Sequence, residues 1–251
     1  MKKKLSFSVI FIIIFIVSCS NVESDIENVI PNPEIKKGEP ELVEEITDEE
    51  PEEYIEFFLD DEQVTINLKW MPILNNYLQG TASRKQSIEE MELSRIYSES
   101  ENIYLLEFSC SSNSLCSYII LNQSRDNPSF LIADIAKLLE IKPSPDDSKL
   151  LFLFERDSGP SQGLKDIVVI DITDWRQLPL RNDTTDEPIL GYKWPLAEVK
   201  WRDNKSINVT KPDSIEPEDP SDKHAIEETP VTDIILKVMN DGEDEDSDIP
   251  Q

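Results

Sequence analysis

The residues able to do covalent, metal or acid–base chemistry are few in this chain and unevenly placed. Three cysteines, one histidine and six glycines are spread over 251 residues, against 52 aspartates and glutamates. The single histidine, His224, lies in an acidic C-terminal stretch, so Ser-His-Asp or Cys-His chemistry has no base in the central region. The glycines form neither a phosphate-cradling loop nor a dinucleotide fingerprint, and no cofactor is expected. Cys110 and Cys116 without a neighbouring histidine do not complete a tetrahedral zinc shell, so no metal is expected either. Asp244, Asp246 and Asp248 have the spacing of a calcium loop, but Ile249 stands where that loop needs glycine. Paired carboxylates of the kind that hydrolyse glycosides stay open, although with 52 acids a pair carries no information.

Cys19 is different because of what precedes it. Lys2, Lys3 and Lys4 are followed by thirteen residues, Leu5 to Val17, that are apolar apart from Ser6 and Ser8. This is the basic and apolar plan of a secretory signal, and it is shorter than the ~20 residues of a membrane-spanning helix. The run Ile16-Val17-Ser18-Cys19 then combines a bulky aliphatic, a tolerant position, a small residue and a cysteine. It resembles the lipobox of bacterial lipoproteins, with Ile16 where leucine is usual and Ser18 where glycine or alanine is usual. The resemblance implies that residues 1–18 are removed and that Cys19 carries a diacylglycerol as the first residue of the mature chain. It also implies a place on the extracytoplasmic face of the cell membrane or outer membrane. Ser20 carries no acidic retention signal, which in a two-membrane cell favours the outer one. The alternative is a plain secretory signal with an incidental cysteine. Two acyl chains, at ~0.8 kcal/mol per buried methylene, would hold the protein where one would not.

Charge divides the rest. The formal charge is −28, from 24 basic and 52 acidic residues. Such a balance argues against nucleic acid, which needs clustered Lys and Arg, and against adsorption to anionic lipid. Residues 20–53 hold 13 acids against Lys36 and Lys37, and residues 213–251 hold 14 against Lys223 and Lys237. Both flanks are rich in proline and poor in aromatics, the composition of disordered segments. Residues 19–53 are thus expected to be an acidic tether, 54–212 a globular domain and 213–251 an acidic tail. A flexible tether of that length spans roughly 30 to 35 Å. Within the tail, Thr229 and Pro230 look like a helix start, and Val231, Ile234, Ile235 and Val238 recur at helical spacing, predicting a short helix over 230–240.

The central region reads as mainly β, with antiparallel sheets and one or two short helices. Residues 103–108, 117–121, 150–154 and 167–172 are compact aliphatic and aromatic runs, and 196–201 and 206–210 continue them. Ser87 and Glu90 suggest a capping box, Ala133 to Leu139 a short helical turn, and Met91 and Leu93 fit either element. The turn Ser144-Pro145-Asp146-Asp147-Ser148-Lys149, followed by Asp166-Ile167-Val168-Val169-Ile170-Asp171, resembles the inner hairpin and third strand of a blade in bacterial TolB-type β-propellers. That resemblance implies blade-like hairpins and, by analogy, protein docking at an envelope. A region of this length has room for about three blades, so an incomplete propeller or a sandwich is expected.

Two further groups are candidates. Cys110 and Cys116 flank a polar link between two strand-like runs, where a hairpin disulfide would fit; the alternative is a pair of reduced thiols. Trp175, Tyr192, Trp194 and Trp201 are candidates for a sugar- or peptide-binding surface, or else for core. Together these readings favour a lipid-anchored, non-catalytic binding or adaptor module whose partner is an extracytoplasmic protein or a cell-wall component. An acidic protein that sequesters a cationic target and a carboxylate-based hydrolase are the alternatives.

Overall fold

An uninterrupted apolar run in a strand, in place of strict alternation, means that both faces of its sheet are covered. The computed structural model, which describes residues 35–45, 52–59, 62–96, 102–123, 129–156, 163–215 and 230–239, shows how that is achieved. The chain forms β1 (Ile35–Glu45), β2 (Glu52–Leu59), β3 (Glu62–Asn67), a 3-10 turn (Leu68–Trp70), α1 (Pro72–Gly80), α2 (Arg84–Glu89) and β4 (Glu92–Ile96). It continues with β5 (Ile103–Phe108), β6 (Cys116–Asn122), β7 (Ser129–Pro143), β8 (Lys149–Arg156), β9 (Leu164–Asp171), β10 (Arg176–Leu178) and β11 (Leu180–Asn182). The last strands are β12 (Glu198–Asp203), β13 (Ser206–Pro212) and β14 (Val231–Val238). The fold is mainly β, and every strand pairing is antiparallel.

Ten strands form one sheet in the order β10-β9-β8-β7-β6-β5-β4-β1-β2-β3, and four form a second, β11-β14-β13-β12. The large sheet turns two corners, each made by a long strand that changes partner along its length. In β1, residues 35–38 pair with β4 and residues 39–45 with β2. In β7, residues 129–136 pair with β6 and residues 137–143 with β8. The β7 corner lies beside Ile135, whose φ of 48° is unusual for a β-branched residue, with register shifts on both sides of it.

Three cores result. Alternate residues of one strand enter different cores, because successive side chains point to opposite faces. Tyr104, Leu106 and Phe108 of β5 join β2, β3, α1 and α2 in the first core, while Ile103 and Leu105 face the second. Leu150, Phe152 and Phe154 of β8 lie in the second core, while Leu151 and Leu153 enter the third with β12, β13 and β14. In the second core Phe154 meets Tyr118 at a centroid distance of 5.3 Å. Each fully covered Leu, Ile or Phe contributes ~1.5–3 kcal/mol, which is why the runs are predominantly apolar.

The helices sit over the first core only. Pro72 opens α1 at a position whose N–H needs no partner, and Leu74 and Leu78, four apart, are its buried face. Ser83 caps α2 and accepts from the Gln86 backbone N–H at 3.4 Å; Glu90 ends that helix. The capping box expected at Ser87 and Glu90 is therefore displaced by one turn. The helical turn expected over Ala133 to Leu139 is also replaced, by the corner of β7, because both neighbouring strands claim its backbone.

Two larger expectations change. Residues 35–45, read as part of the acidic tether, are a corner strand, so β structure begins well before residue 54. The helix expected over 230–240 is the strand β14, the second strand from the edge of its sheet, between β11 and β13. Sheet pairing on both sides overrides the weak helical spacing, and the buried set becomes Ile234, Leu236 and Val238, with Val231 57% exposed. Leu236→Ala is accordingly expected to cost ~2–5 kcal/mol in urea unfolding. Ile235→Ala, on the outer face, should cost well under half as much; a helix would give the reverse order.

Candidate functional site

The four aromatic residues do not form one surface. Trp175 is buried in the second core, its ring tilted against Phe130 at 5.9 Å, and Tyr192 packs against the same core. Trp194 and Trp201 pack against the third core, on the other face of β8 and β9. Tyr192 and Trp194 would share a face only within a strand, whereas residues 190–193 form a turn in which Gly191 and Tyr192 have φ of 75° and 58°. Each ring is engaged locally. The Arg156 guanidinium lies 3.9 Å from the Tyr192 ring centre and donates to the carbonyls of Asp134 and Ile135 at the β7 corner. Lys211 Nζ lies 3.4 Å from the Trp194 ring centre and pairs with Glu187 at 3.3 Å. Trp201 Nε1 donates to the Lys142 carbonyl at 3.2 Å. These residues are joints between layers.

Around Tyr192 two groups titrate away from their ordinary values. Burial pushes the Tyr192 hydroxyl up to about 12. Burial also raises the Asp166 carboxyl, against the opposing effect of N–H groups donated by Gly191 and Ile167, both at 2.9 Å, and of Arg156.

Cys110 and Cys116 are joined as a disulfide across the β5–β6 hairpin, with Cα atoms 4.0 Å apart. Glu107 Oε1 approaches their sulfurs at 3.4 and 3.2 Å, so these three residues place their ligand atoms within reach of one ion. A disulfide sulfur carries no proton to donate and is no thiolate, so in this oxidised state the approach is a contact and not a metal site. Inside the hairpin Ser111 N donates to the Leu115 carbonyl at 2.8 Å, which holds the link closed beside the bond.

A further concavity lies elsewhere, on the outer face of the β11-β14-β13-β12 sheet. It is a cleft of about 580 Å³ whose charged lining is Arg181, Arg202, Lys205 and Lys237 against Asp183 and Asp203. Four cations and two carboxylates leave a local surplus of two positive charges in a chain of net charge −28. The sheet register makes this arrangement. Arg181 of β11 stands directly opposite Lys237 of β14, and Lys237 stands opposite Ser206 on its other side. Like charges opposite one another in a sheet repel. Asp183 lies between them, 2.8 Å from Lys237 Nζ and 3.9 Å from the Arg181 guanidinium.

The β12–β13 turn supplies the other wall. Asp203 accepts from Lys205 N at 2.8 Å and from Ser206 Oγ at 2.7 Å, and the Ser206 hydroxyl above all holds its carboxyl below the usual range. The turn thereby fixes the backbone from which Arg202 and Lys205 project. Among the described residues, neither the Arg202 guanidinium nor the Lys205 ammonium has a salt-bridge partner. The cleft therefore suits an anion bearing carboxylate or phosphate oxygens. Sequence reading missed it because its residues come from three separated segments, one of them in the presumed tail. Cys19 and His224 lie outside the described residues. Neither family models, nor curated proteins, nor solved structures give a match to the chain.

Two stability predictions follow from these local arrangements. Replacing Cys110 and Cys116 by serine should lower the unfolding free energy of the oxidised chain by ~2 kcal/mol, the loss expected for so short a loop. The variant's urea midpoint should then be indifferent to reductant; equal midpoints for parent and variant would show that the hairpin holds without its bond. For Asp166, the raised folded pKa means that the protonated form favours the fold. That contribution is complete below the ordinary value of 3.8 and is lost as pH rises through the folded pKa. Asp166→Asn keeps an acceptor for both N–H groups and removes the titration. Its stability relative to the parent should therefore climb between acidic and neutral pH, as read from urea midpoints at each pH, and a flat difference would refute this.

Proposed function

We propose that the chain is an extracytoplasmic lipoprotein, held at the cell envelope by Cys19, that works as a non-catalytic binding or adaptor module. The observation that carries the reading is the run Ile16-Val17-Ser18-Cys19 directly behind a basic and apolar leader. The position of β1 refines it. Only fifteen residues, 20–34, separate Cys19 from the first strand. Even fully extended, that link reaches roughly 55 Å, so the anchored fold works close to its membrane and not at long range. An outer membrane, a cell membrane facing a wall, or a neighbouring envelope protein all fall within this reach.

The partner-facing site of such a module is the cleft lined by Arg181, Arg202, Lys205 and Lys237. The cleft supports an anionic group on an extracytoplasmic protein or cell-wall component, because its charged lining is four cations against two carboxylates and, among the described residues, Arg202 and Lys205 form no salt bridge. The reading in which the acidic surface sequesters a cationic target draws on the net charge of −28 and would be screened within ~8 Å at physiological ionic strength. The cleft favours the first reading over it.

Anchoring is tested by Cys19→Ala in the native cell. The variant should leave the membrane fraction and take up no lipid label, while folding as the parent does. A variant that stays with the membrane overturns the reading.

A further inference from the structure

A carboxylate beside a disulfide receives neither a proton nor a positive charge from it, yet Glu107 is aimed at both sulfurs of the β5–β6 hairpin. Its Oε1 lies 3.4 Å from Cys110 Sγ and 3.2 Å from Cys116 Sγ, and the three ligand atoms all fall within 4.8 Å of one another. A tetrahedral zinc with Zn–S of about 2.3 Å and Zn–O of about 2.0 Å has a sulfur–oxygen edge of about 3.5 Å. Both observed separations are close to that edge. Only the sulfur–sulfur edge must open, from bonding distance to about 3.8 Å. Rotation of the Cys110 side chain can supply that motion, because Cys110 is exposed in the polar link while Cys116 is 2% exposed at the start of β6. The carboxylate is also held from its far side. Tyr118 stands opposite Glu107 in the strand register, accepts from Leu138 N at 3.3 Å and donates its hydroxyl to the Glu107 carboxylate. An outer hydrogen bond of this kind orients a metal-ligating carboxylate.

We propose that Glu107, Cys110 and Cys116 form a redox-gated zinc site, closed while the sulfurs are joined and opened by a dithiol reductant. The inference goes beyond the reading of the chain as an anchored module and uses neither Cys19 nor the cleft. A thiolate of the reductant attacks the exposed Cys110 Sγ. The Cys110–Cys116 bond breaks and its electron pair leaves on Cys116 Sγ, which takes up a proton. The second thiolate of the reductant then attacks the reductant sulfur of the mixed disulfide, and the electron pair leaves on Cys110 Sγ, which is protonated in turn. The dithiol has lost two electrons and two protons, and the chain has gained both. Zinc then binds two thiolates and the Glu107 carboxylate, the two thiol protons pass to solvent, and water takes the fourth position. Thiolate ligands select zinc over magnesium or calcium.

The metal thereby replaces the covalent bond as the tie across the hairpin. Reduction exchanges one closure for another and does not release the link.

The test uses the full chain with Cys19→Ala, which leaves Cys110 and Cys116 as its only cysteines, and cobalt(II) as the spectroscopic stand-in for zinc. The chain is reduced with a dithiol, which is then removed in the absence of air. Cobalt should give a near-ultraviolet thiolate charge-transfer band that saturates at one ion per chain and is erased by added zinc. The oxidised chain, with the same carboxylates, should give no such band, and this comparison needs no further substitution. Zinc should raise the urea midpoint of the reduced chain by more than that of the oxidised chain. Glu107→Gln keeps an acceptor for Tyr118 and both thiols but loses the anionic ligand, so its affinity for cobalt should fall at least about tenfold. The proposal is overturned if the reduced chain gives no charge-transfer band, if the band requires two chains per ion, if zinc shifts both midpoints equally, or if Glu107→Gln binds cobalt as tightly as the parent.

Discussion

Burial of both faces of the inner strands is the constraint on which this protein depends. β5 and β6 must satisfy one core with odd-numbered residues and another with even-numbered ones, and β8 and β9 must do the same. A shift of one residue in either pair would exchange the contents of two cores at once, so register is fixed far more strongly than in a sheet with one wet face. The corners follow from it. A sheet of ten strands cannot stay flat and also cover both faces of its own middle strands, and β1 and β7 bend it by pairing with a different neighbour at each end.

The same constraint explains the aromatic residues. Trp175 and Tyr192 close the second core, Trp194 and Trp201 the third; the Trp201 N–H has a carbonyl partner, and cations lie over the Tyr192 and Trp194 rings. Where the chain must pass from one layer to the next, it does so through left-handed residues, Ile135, Trp175 and Tyr192 among them, held by the packing on either side. The Ser144–Lys149 turn works on polar terms instead. Burial opposes the Asp146 charge, yet the Ser144 and Ser148 hydroxyls, the Ser148 amide and Lys149 together keep the carboxyl below its usual range.

The β11-β14-β13-β12 sheet has an uncovered outer face, and the cleft lies there. Its inner residues, Ile207, Val209, Ile234 and Leu236, are spent on the third core, so the outward set on the same strands is free to be polar. Alternation thus places Lys237 outward because Leu236 and Val238 point inward. A polar, charged surface arises from the packing requirement, and its local surplus of cations stands against a net charge of −28 for the chain.

Much of this was legible in the residues themselves. The runs at 103–108, 117–121, 150–154 and 167–172 are strands, and their lack of alternation already implied cover on both sides. The Cys110–Cys116 link was legible from two cysteines bracketing a polar loop, and α1 carried its signal in Pro72 with Leu74 and Leu78, though that signal is short enough to pass unread. What composition misjudged were β1 and β14. Acidic, proline-rich flanks resemble disordered chain because composition measures local hydrophobicity, whereas a strand gains its stability from neighbours distant in sequence: β4 and β2 for β1, β11 and β13 for β14. The cleft was invisible for the same reason. Arg181, Arg202, Lys205 and Lys237 are unremarkable singly, and only antiparallel register sets them on one face. The sequence by itself determined the β character and the inner strands; the tertiary structure decided which flanking segments join the sheets and which charges meet, because pairing between remote strands is a property of no segment alone.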